Sequence, residues 1–186
     1  DSEIIIESAI NYLHENKLEK FNVLDLGTGS GCLILSILRE FEKGKGIATD
    51  ISIDAIEVAK LNSKKLNLIK NIDFLVSDWC QSITGLFDVI VINPPYIKSK
   101  EINKLQLEVK NFDPKISLDG GEDGLDAFKR IAPNIKYLLT NKGLIFCELG
   151  FNQTKDVTRI FQDNNLKKLF VKKDLSGKDR CIILGH

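Results

Sequence analysis

Asn93-Pro94-Pro95-Tyr96 is the segment of this sequence whose chemistry is most sharply defined. Proline after Asn93 disfavours the helical region there and holds the chain extended. Two successive prolines also remove two backbone donors, leaving carbonyls as the main-chain polar groups. What remains is a stiff acceptor surface, the Asn93 side-chain oxygen and the Pro94 carbonyl, with one acceptor for each hydrogen of an –NH2 group. Tyr96 can lay its ring over a flat amide or base. Asn93, Pro94 and Tyr96 are therefore candidate catalytic residues, and with Pro95 they form the candidate substrate site. Further upstream, Gly27-Thr28-Gly29-Ser30-Gly31 follows an apolar run, but Cys32 stands where the dinucleotide fingerprint G-x-G-x-x-G requires glycine. Gly29 and Gly31 would let the backbone approach a ligand at the N-terminus of the next helix. Asp50, 23 residues after Gly27, can accept both hydroxyls of a ribose, or cap the helix that follows. Asp78 can accept from an adenine amino group beside the apolar surface of Trp79. Together these three places describe an adenosine-shaped pocket.

Positioning such residues requires strands that end at a common rim. The apolar period alternates between helix and strand along the chain. Ile5, Ala9, Tyr12 and Leu13 share one helical face, and Phe21 to Leu26 reads as a buried strand. Leu33, Ile34, Ile37, Leu38 and Phe41 recur at helical spacing after the glycines. Gly46 to Thr49 is a second strand, and Ser52 caps a helix expected to bury Ala55, Val58 and Ala59. Ile72 to Val76 and Phe87 to Ile92 are the third and fourth strands. Residues 97–123 are the least regular, and Asp119 to Gly124 reads as a loop. Leu125 to Leu139 predicts a helix that Pro133 should kink or divide. Leu144 to Glu148 is strand five, Val157, Ile160 and Phe161 mark another helix, and Leu169 to Val171 and Cys181 to Leu184 close the chain around a short turn. The expected fold is α/β: a doubly wound, mostly parallel seven-stranded sheet with an antiparallel last strand. Ligands of such sheets sit beyond the carboxyl ends of the strands, where Asp50, Asp78 and Asn93 stop theirs.

Composition narrows the partners. In 186 residues, 43% hydrophobic and 28% charged, the 26 basic residues balance 26 acidic ones. A chain of this length and make-up reads as one domain with a sizeable core. Zero net charge and only four arginines supply no field toward nucleic acid or an anionic membrane. No apolar run reaches the roughly 18 residues of a membrane span, and Asp1-Ser2-Glu3 does not open a signal peptide. The absence of methionine suggests an excerpt of a longer product. Cys32, Cys80, Cys147 and Cys181 are widely spaced and read as buried thiols of a reducing cytoplasm, neither zinc ligands nor disulfides. His14 and His186 lie near the chain ends, which argues against a histidine base.

Asp25-Leu26-Gly27-Thr28-Gly29-Ser30-Gly31 followed by Asn93-Pro94-Pro95-Tyr96 resembles the class I methyltransferases dependent on S-adenosyl-L-methionine. More narrowly, the chain is similar to the HemK/PrmC family of protein-glutamine methyltransferases acting on peptide chain release factors. Ser77-Asp78-Trp79, the run Leu118 to Leu125 and the run Asp174 to Arg180 also fit that family, so the resemblance covers essentially the whole chain. Asn-Pro-Pro-Tyr alone is shared with adenine-amino methyltransferases of DNA and RNA; the other two runs favour the release-factor enzymes. The chain departs from the pattern in two ways. The family's helical N-terminal substrate-recognition domain would end just before this chain begins, so residues 1–186 would be the catalytic domain alone. Asp113 stands before Pro114 where the family has glutamate.

The resemblance implies methyl transfer from S-adenosyl-L-methionine, with S-adenosyl-L-homocysteine as product and no metal, to the glutamine amide of a Gly-Gly-Gln motif in class 1 release factors. Gly27, Thr28, Gly29, Ser30 and Gly31 would shape the cofactor pocket, with Asp25 supporting that loop or reaching the methionine amino group. Asp50 would hold the ribose, Asp78 and Trp79 the adenine, and Asn93 would border both ligands. An amide nitrogen is a poor nucleophile. Acceptors on Asn93 and Pro94 would favour a more tetrahedral nitrogen and aim its lone pair for in-line displacement at about 3–3.5 Å. They would stabilise the developing charge without a prior general base. Glu148, at the end of strand five, is read as a loop anchor. The rival readings are an adenine-amino methyltransferase of DNA or RNA, and a non-catalytic module that binds the cofactor.

Overall fold

The computed structural model describes residues 2–102 and 117–186; Asp113 and Pro114 lie outside them. Helix α1 (Glu3–Glu15) buries Ile5, Ala9 and Leu13, one residue per turn. Strand β1 (Asn22–Leu26) leads through the glycine loop into α2 (Cys32–Glu40), which buries Leu33, Ile34, Ile37 and Leu38. After β2 (Lys45–Asp50), the Ser52 side chain caps α3 (Ile53–Lys65) by accepting from the Ala55 amide. Strands β3 (Ile72–Val76) and β4 (Phe87–Ile92) follow, then a helical turn, α4 (Ser99–Ile102). The chain finishes with α5 (Asp126–Ile135), β5 (Leu139–Glu148), α6 (Thr154–Asp163), β6 (Lys167–Lys173) and β7 (Asp179–Gly185).

Seven strands form one sheet in the order β3-β2-β1-β4-β5-β7-β6. The first five pair in parallel, and β7 runs antiparallel between β5 and β6, as the short connection before it requires. Both faces are covered, so the central strands read as near-continuous apolar runs. Leu24, Ile90, Phe128, Ile131 and Phe161 build the core on one face; Val23, Val89, Ile5, Ile34 and Ile37 build the other. Each large side chain buried there contributes about 1.5–3 kcal/mol. Among the described residues no helix is long and apolar enough to cross a membrane.

Three sequence expectations need correction. In α3 the buried stripe is Ile56, Ala59 and Ser63, while Val58 is 45% exposed; Ser63 tolerates burial because its hydroxyl donates to the Lys60 carbonyl at 2.8 Å. Pro133 does not divide its helix, which runs on to Ile135 and tightens into a 3-10 turn at Lys136–Leu138. Pro133 lies on the exposed side, where the carbonyl it leaves without a backbone donor can meet water. Strand β5 begins at Leu139 rather than Leu144, because a register irregularity opposite Phe87 and Val89 absorbs residues 140–143.

Candidate active site

The sheet register places Asp50, Gly27, Asn93 and Glu148 in one row, with Asp78 two residues beyond its end at Val76. Leu75, Thr49, Leu26, Ile92 and Cys147 are paired across β3, β2, β1, β4 and β5. The next residue of each strand therefore forms the rim: Val76, Asp50, Gly27, Asn93 and Glu148. Strand order reverses between β1 and β4, and a crevice opens at such a switch point. Two cavities that share lining residues form its lobes. One, of about 350 Å³, is lined by Gly27, Gly29, Asp50, Asp78, Trp79, Asn93, Pro95 and Arg130 among others. The second, of about 330 Å³, is lined by Ser2, Thr28, Ser30, Asn93, Pro94, Pro95, Tyr96 and Glu148, with Gly27 and Gly29 shared. Asn93 and Pro95 border both lobes.

The first lobe is built around backbone amides and carboxylates. Gly27 and Gly29 have φ of +74° and +54°, and among the described residues a side chain on Gly29 would meet nothing within 4 Å. A ligand can therefore lie against that backbone. Asp50 Oδ2 accepts from the Gly29 amide and Oδ1 from the Ser52 amide, both at 2.9 Å. These bonds hold the carboxylate at the lobe and leave further lone pairs on both oxygens. Trp79 has φ +50° and its ring lies 3.3 Å from where a Gly27 Cβ would be. So bulky a residue in the left-handed region carries backbone strain, a feature found at ligand sites. Asp78 pairs with Arg130, so its carboxylate enters the lobe with a guanidinium attached.

Asp25 and Gly31 are predicted cofactor residues that line neither lobe. Asp25 is fully buried beneath the glycine loop, where Oδ2 accepts from the Thr28 hydroxyl at 2.7 Å and the Ile34 amide at 3.3 Å. Among the described residues its Oδ1 has no partner, and burial pushes the carboxyl up to about 7 against the pull of those two bonds. A carboxylate so placed ties the loop to α2. Gly31 turns inward, and a Cβ there would stand 2.9 Å from Leu35 and 3.3 Å from Ala59. Its glycine serves close packing of the helix. Cys32, expected to be buried, is exposed as the first residue of α2 and lines the second lobe.

Around the second lobe, the corner at Asn93–Tyr96 is clamped by glycines. The Gly120 amide donates to the Ile97 carbonyl at 2.8 Å, and the Ile97 amide donates to that of Leu118 at 3.1 Å. A Cβ on Gly120 would lie 2.9 Å from the Pro95 oxygen, and one on Gly124 would lie 2.5 Å from the Tyr96 oxygen. The loop at 119–124 must be glycine-rich to lie this close. Gln153, 6% exposed, fastens it by donating to the Tyr96 and Gly124 carbonyls at 3.0 and 3.1 Å. Tyr96 donates its hydroxyl to Glu148 at 3.0 Å, and burial beside that carboxylate pushes the phenol up to about 12. Sequence reading missed Ser2, Gln153 and Arg130. Ser2 meets Asn93 and Glu148 across 91 and 146 residues of chain, and no local pattern carries such a contact.

A family model, methyltransferase small domain, matches residues 6–110. The chain is 42% identical over 161 residues to the release factor glutamine methyltransferase of Rhodospirillum rubrum, covering 87% of this chain and 50% of that protein. It is 43% identical over 177 residues to the bifunctional methyltransferase of Rickettsia conorii, covering 94% of this chain and 34% of that protein. The chain thus spans about half the length of the first relative and about a third of the second. Among solved structures, the ribosomal protein L11 methylase of Lactobacillus delbrueckii subsp. bulgaricus superposes with a TM-score of 0.71 at 18% identity, covering 98% of this chain and 78% of that one.

Proposed function

The chain belongs to the methyltransferase small domain family, and from that premise we propose that it methylates the glutamine side-chain amide of the Gly-Gly-Gln motif in class 1 peptide chain release factors. The observation that carries this reading is the place of Asn93 and Pro95 at the junction of the two lobes. A group bound in one lobe can there meet a carboxamide bound in the other. Relatives named for this activity support the choice of substrate.

In this reading S-adenosyl-L-methionine supplies the electrophilic methyl group. The residues of the first lobe fit it: Asp50 would accept the ribose hydroxyls, and the open backbone at Gly29, reached through the turn at Gly27, would admit the methionine portion. Trp79 and Asp78 would border the adenine. Thr28 and Ser30 would carry the same loop round to the second lobe, while Gly31 would pack it against Leu35 and Ala59 and Asp25 would anchor it through Thr28. Asn93 Oδ1 and the Pro94 carbonyl would accept the two hydrogens of the glutamine NH2, while the Tyr96 ring packs against the amide plane. Acceptors already in place when charge develops on nitrogen lower the barrier more than they strengthen substrate binding. Those hydrogens become acidic only as the new bond forms, so no side chain need remove one beforehand, and the proton is lost to water once the methyl group has left sulfur for nitrogen. Residues 1–186 would be the catalytic domain, working in the cytoplasm on a protein substrate and not on nucleic acid.

Incubation with isotope-labelled cofactor, a release factor and a nucleic acid, followed by mass spectrometry of the release-factor peptide, tests the proposal. One methyl group on the glutamine amide is expected. Label appearing only on nucleic acid would make the chain an adenine-amino methyltransferase instead. Asn93→Ala should abolish turnover while much of the cofactor affinity survives; cofactor binding with no transfer to either substrate would leave only a binding module.

A further inference from the structure

The end of β5 brings a carboxylate up to the corner from behind. Glu148 is 3% exposed and follows Cys147, the register partner of Ile92. Its Oε1 accepts the Tyr96 hydroxyl at 3.0 Å, and its Oε2 accepts the Ser2 hydroxyl at 3.1 Å. Ser2 Oγ in turn accepts from Asn93 Nδ2 at 3.0 Å. The direction of this chain follows from its end. A carboxylate only accepts, and a serine hydroxyl has one proton. With that proton committed to Glu148, Ser2 offers Asn93 nothing but lone pairs. The carboxamide must then turn its NH2 to Ser2, which leaves Oδ1 for the cavity. The two ends of an asparagine side chain are nearly the same size, so packing alone would hardly distinguish them.

We propose that Ser2 and Glu148 are positioning residues that set the polarity of Asn93, so that it presents an acceptor and not a donor to the substrate nitrogen. The proposal rests on the reading of Asn93 as an amide acceptor given above. It also explains why a carboxylate that transfers no proton stands beside the site. Glutamine at position 148 could still accept from Tyr96 through Oε1 but would donate to Ser2 through Nε2. Ser2 would then donate to position 93, draw the Asn93 oxygen toward itself and turn the NH2 on the substrate.

The test joins kinetics to a measurement that needs no turnover. Glu148→Gln should lower kcat on the order of 100-fold with cofactor affinity retained, the scale of a misaligned reacting group. Ser2→Ala should lower kcat in the same sense, and Ser2→Thr, which keeps the hydroxyl, should restore it. In an Asn93→Asp background the effect of Glu148→Gln should reverse. Aspartate has oxygen at both ends, so one can accept from Ser2 while the other faces the substrate, and the double variant should outperform Asn93→Asp alone. Independently, the Asn93 side-chain NH2 protons, followed by NMR without cofactor or release factor, should exchange slowly in the wild type and faster in Ser2→Ala. Unchanged exchange in Ser2→Ala, or a Glu148→Gln loss of the same size in both backgrounds, would overturn the proposal. Should the wild type methylate no release factor while the exchange responds as stated, the functional reading falls and the positioning role stands.

Discussion

Removing Gln153 should loosen the corner without touching any ligand. Its Oε1 accepts from the Gly150 amide at 2.8 Å and its Nε2 donates to the Tyr96 and Gly124 carbonyls at 3.0 and 3.1 Å. One such bond contributes about 0.5–1.5 kcal/mol net, so the set is worth roughly 1.5–4.5 kcal/mol. Truncation leaves its partners, of which Gly124 and Gly150 are buried, without replacements. Gln153→Ala should therefore cost about 3–4 kcal/mol. Gln153→Glu is the sharper probe. It keeps the shape and the acceptor for Gly150 but sets an oxygen against two carbonyl oxygens, so it should cost at least as much as alanine. Urea denaturation with linear extrapolation reads the loss, and turnover of the same samples should fall on the order of 10-fold as the Tyr96 backbone gains freedom. A glutamate variant as stable as wild type, or an alanine variant within about 0.5 kcal/mol of it, would refute the clamp.

Asp25 gives stability a pH dependence. Its carboxyl is raised from 3.8 to about 7, so between those values the unfolded chain releases a proton that the folded one keeps. Stability should fall as pH rises through that window, by on the order of 4 kcal/mol, and level off above it; denaturation at several pH values should show a flatter profile for Asp25→Asn. Gly124→Ala places a Cβ 2.5 Å from the Tyr96 oxygen at φ +77°, whereas one on Gly177 at φ +79° has nothing within 4 Å among the described residues. Alanine at 177 should cost about 1–2 kcal/mol from backbone strain alone, and alanine at 124 more than that, with lost turnover; equal losses in urea melts would contradict the close packing. Burial pushes the Cys80 and Cys181 thiols up to about 11 and 12 and Cys147 upward as well, while Cys32 is exposed. Iodoacetamide on the native protein should mark Cys32 first by peptide mapping, and early labelling of Cys147 would contradict the fold.

Local pattern settled the order of elements, because burial at helical and strand periods leaves a direct trace in residue type. Phe21 to Leu26 and Phe87 to Ile92 were legible as strands, and the prolines after Asn93 marked where the fourth strand stops. Composition likewise argued for a sizeable core, which the structure divides between the two faces of the sheet. Tertiary structure decided which side chains act on one another. Register across five strands set Asp50, Gly27, Asn93 and Glu148 side by side, and register depends on pairings between distant segments. The same distance hid Ser2 and Gln153, whose partners lie across 91 and 57 residues of chain, and folding set Asp25 and Gly31 behind the loop, where they line neither lobe. Residue type states what a side chain can donate or accept; only the folded chain decides which partner it meets, and so which end of Asn93 faces the cavity.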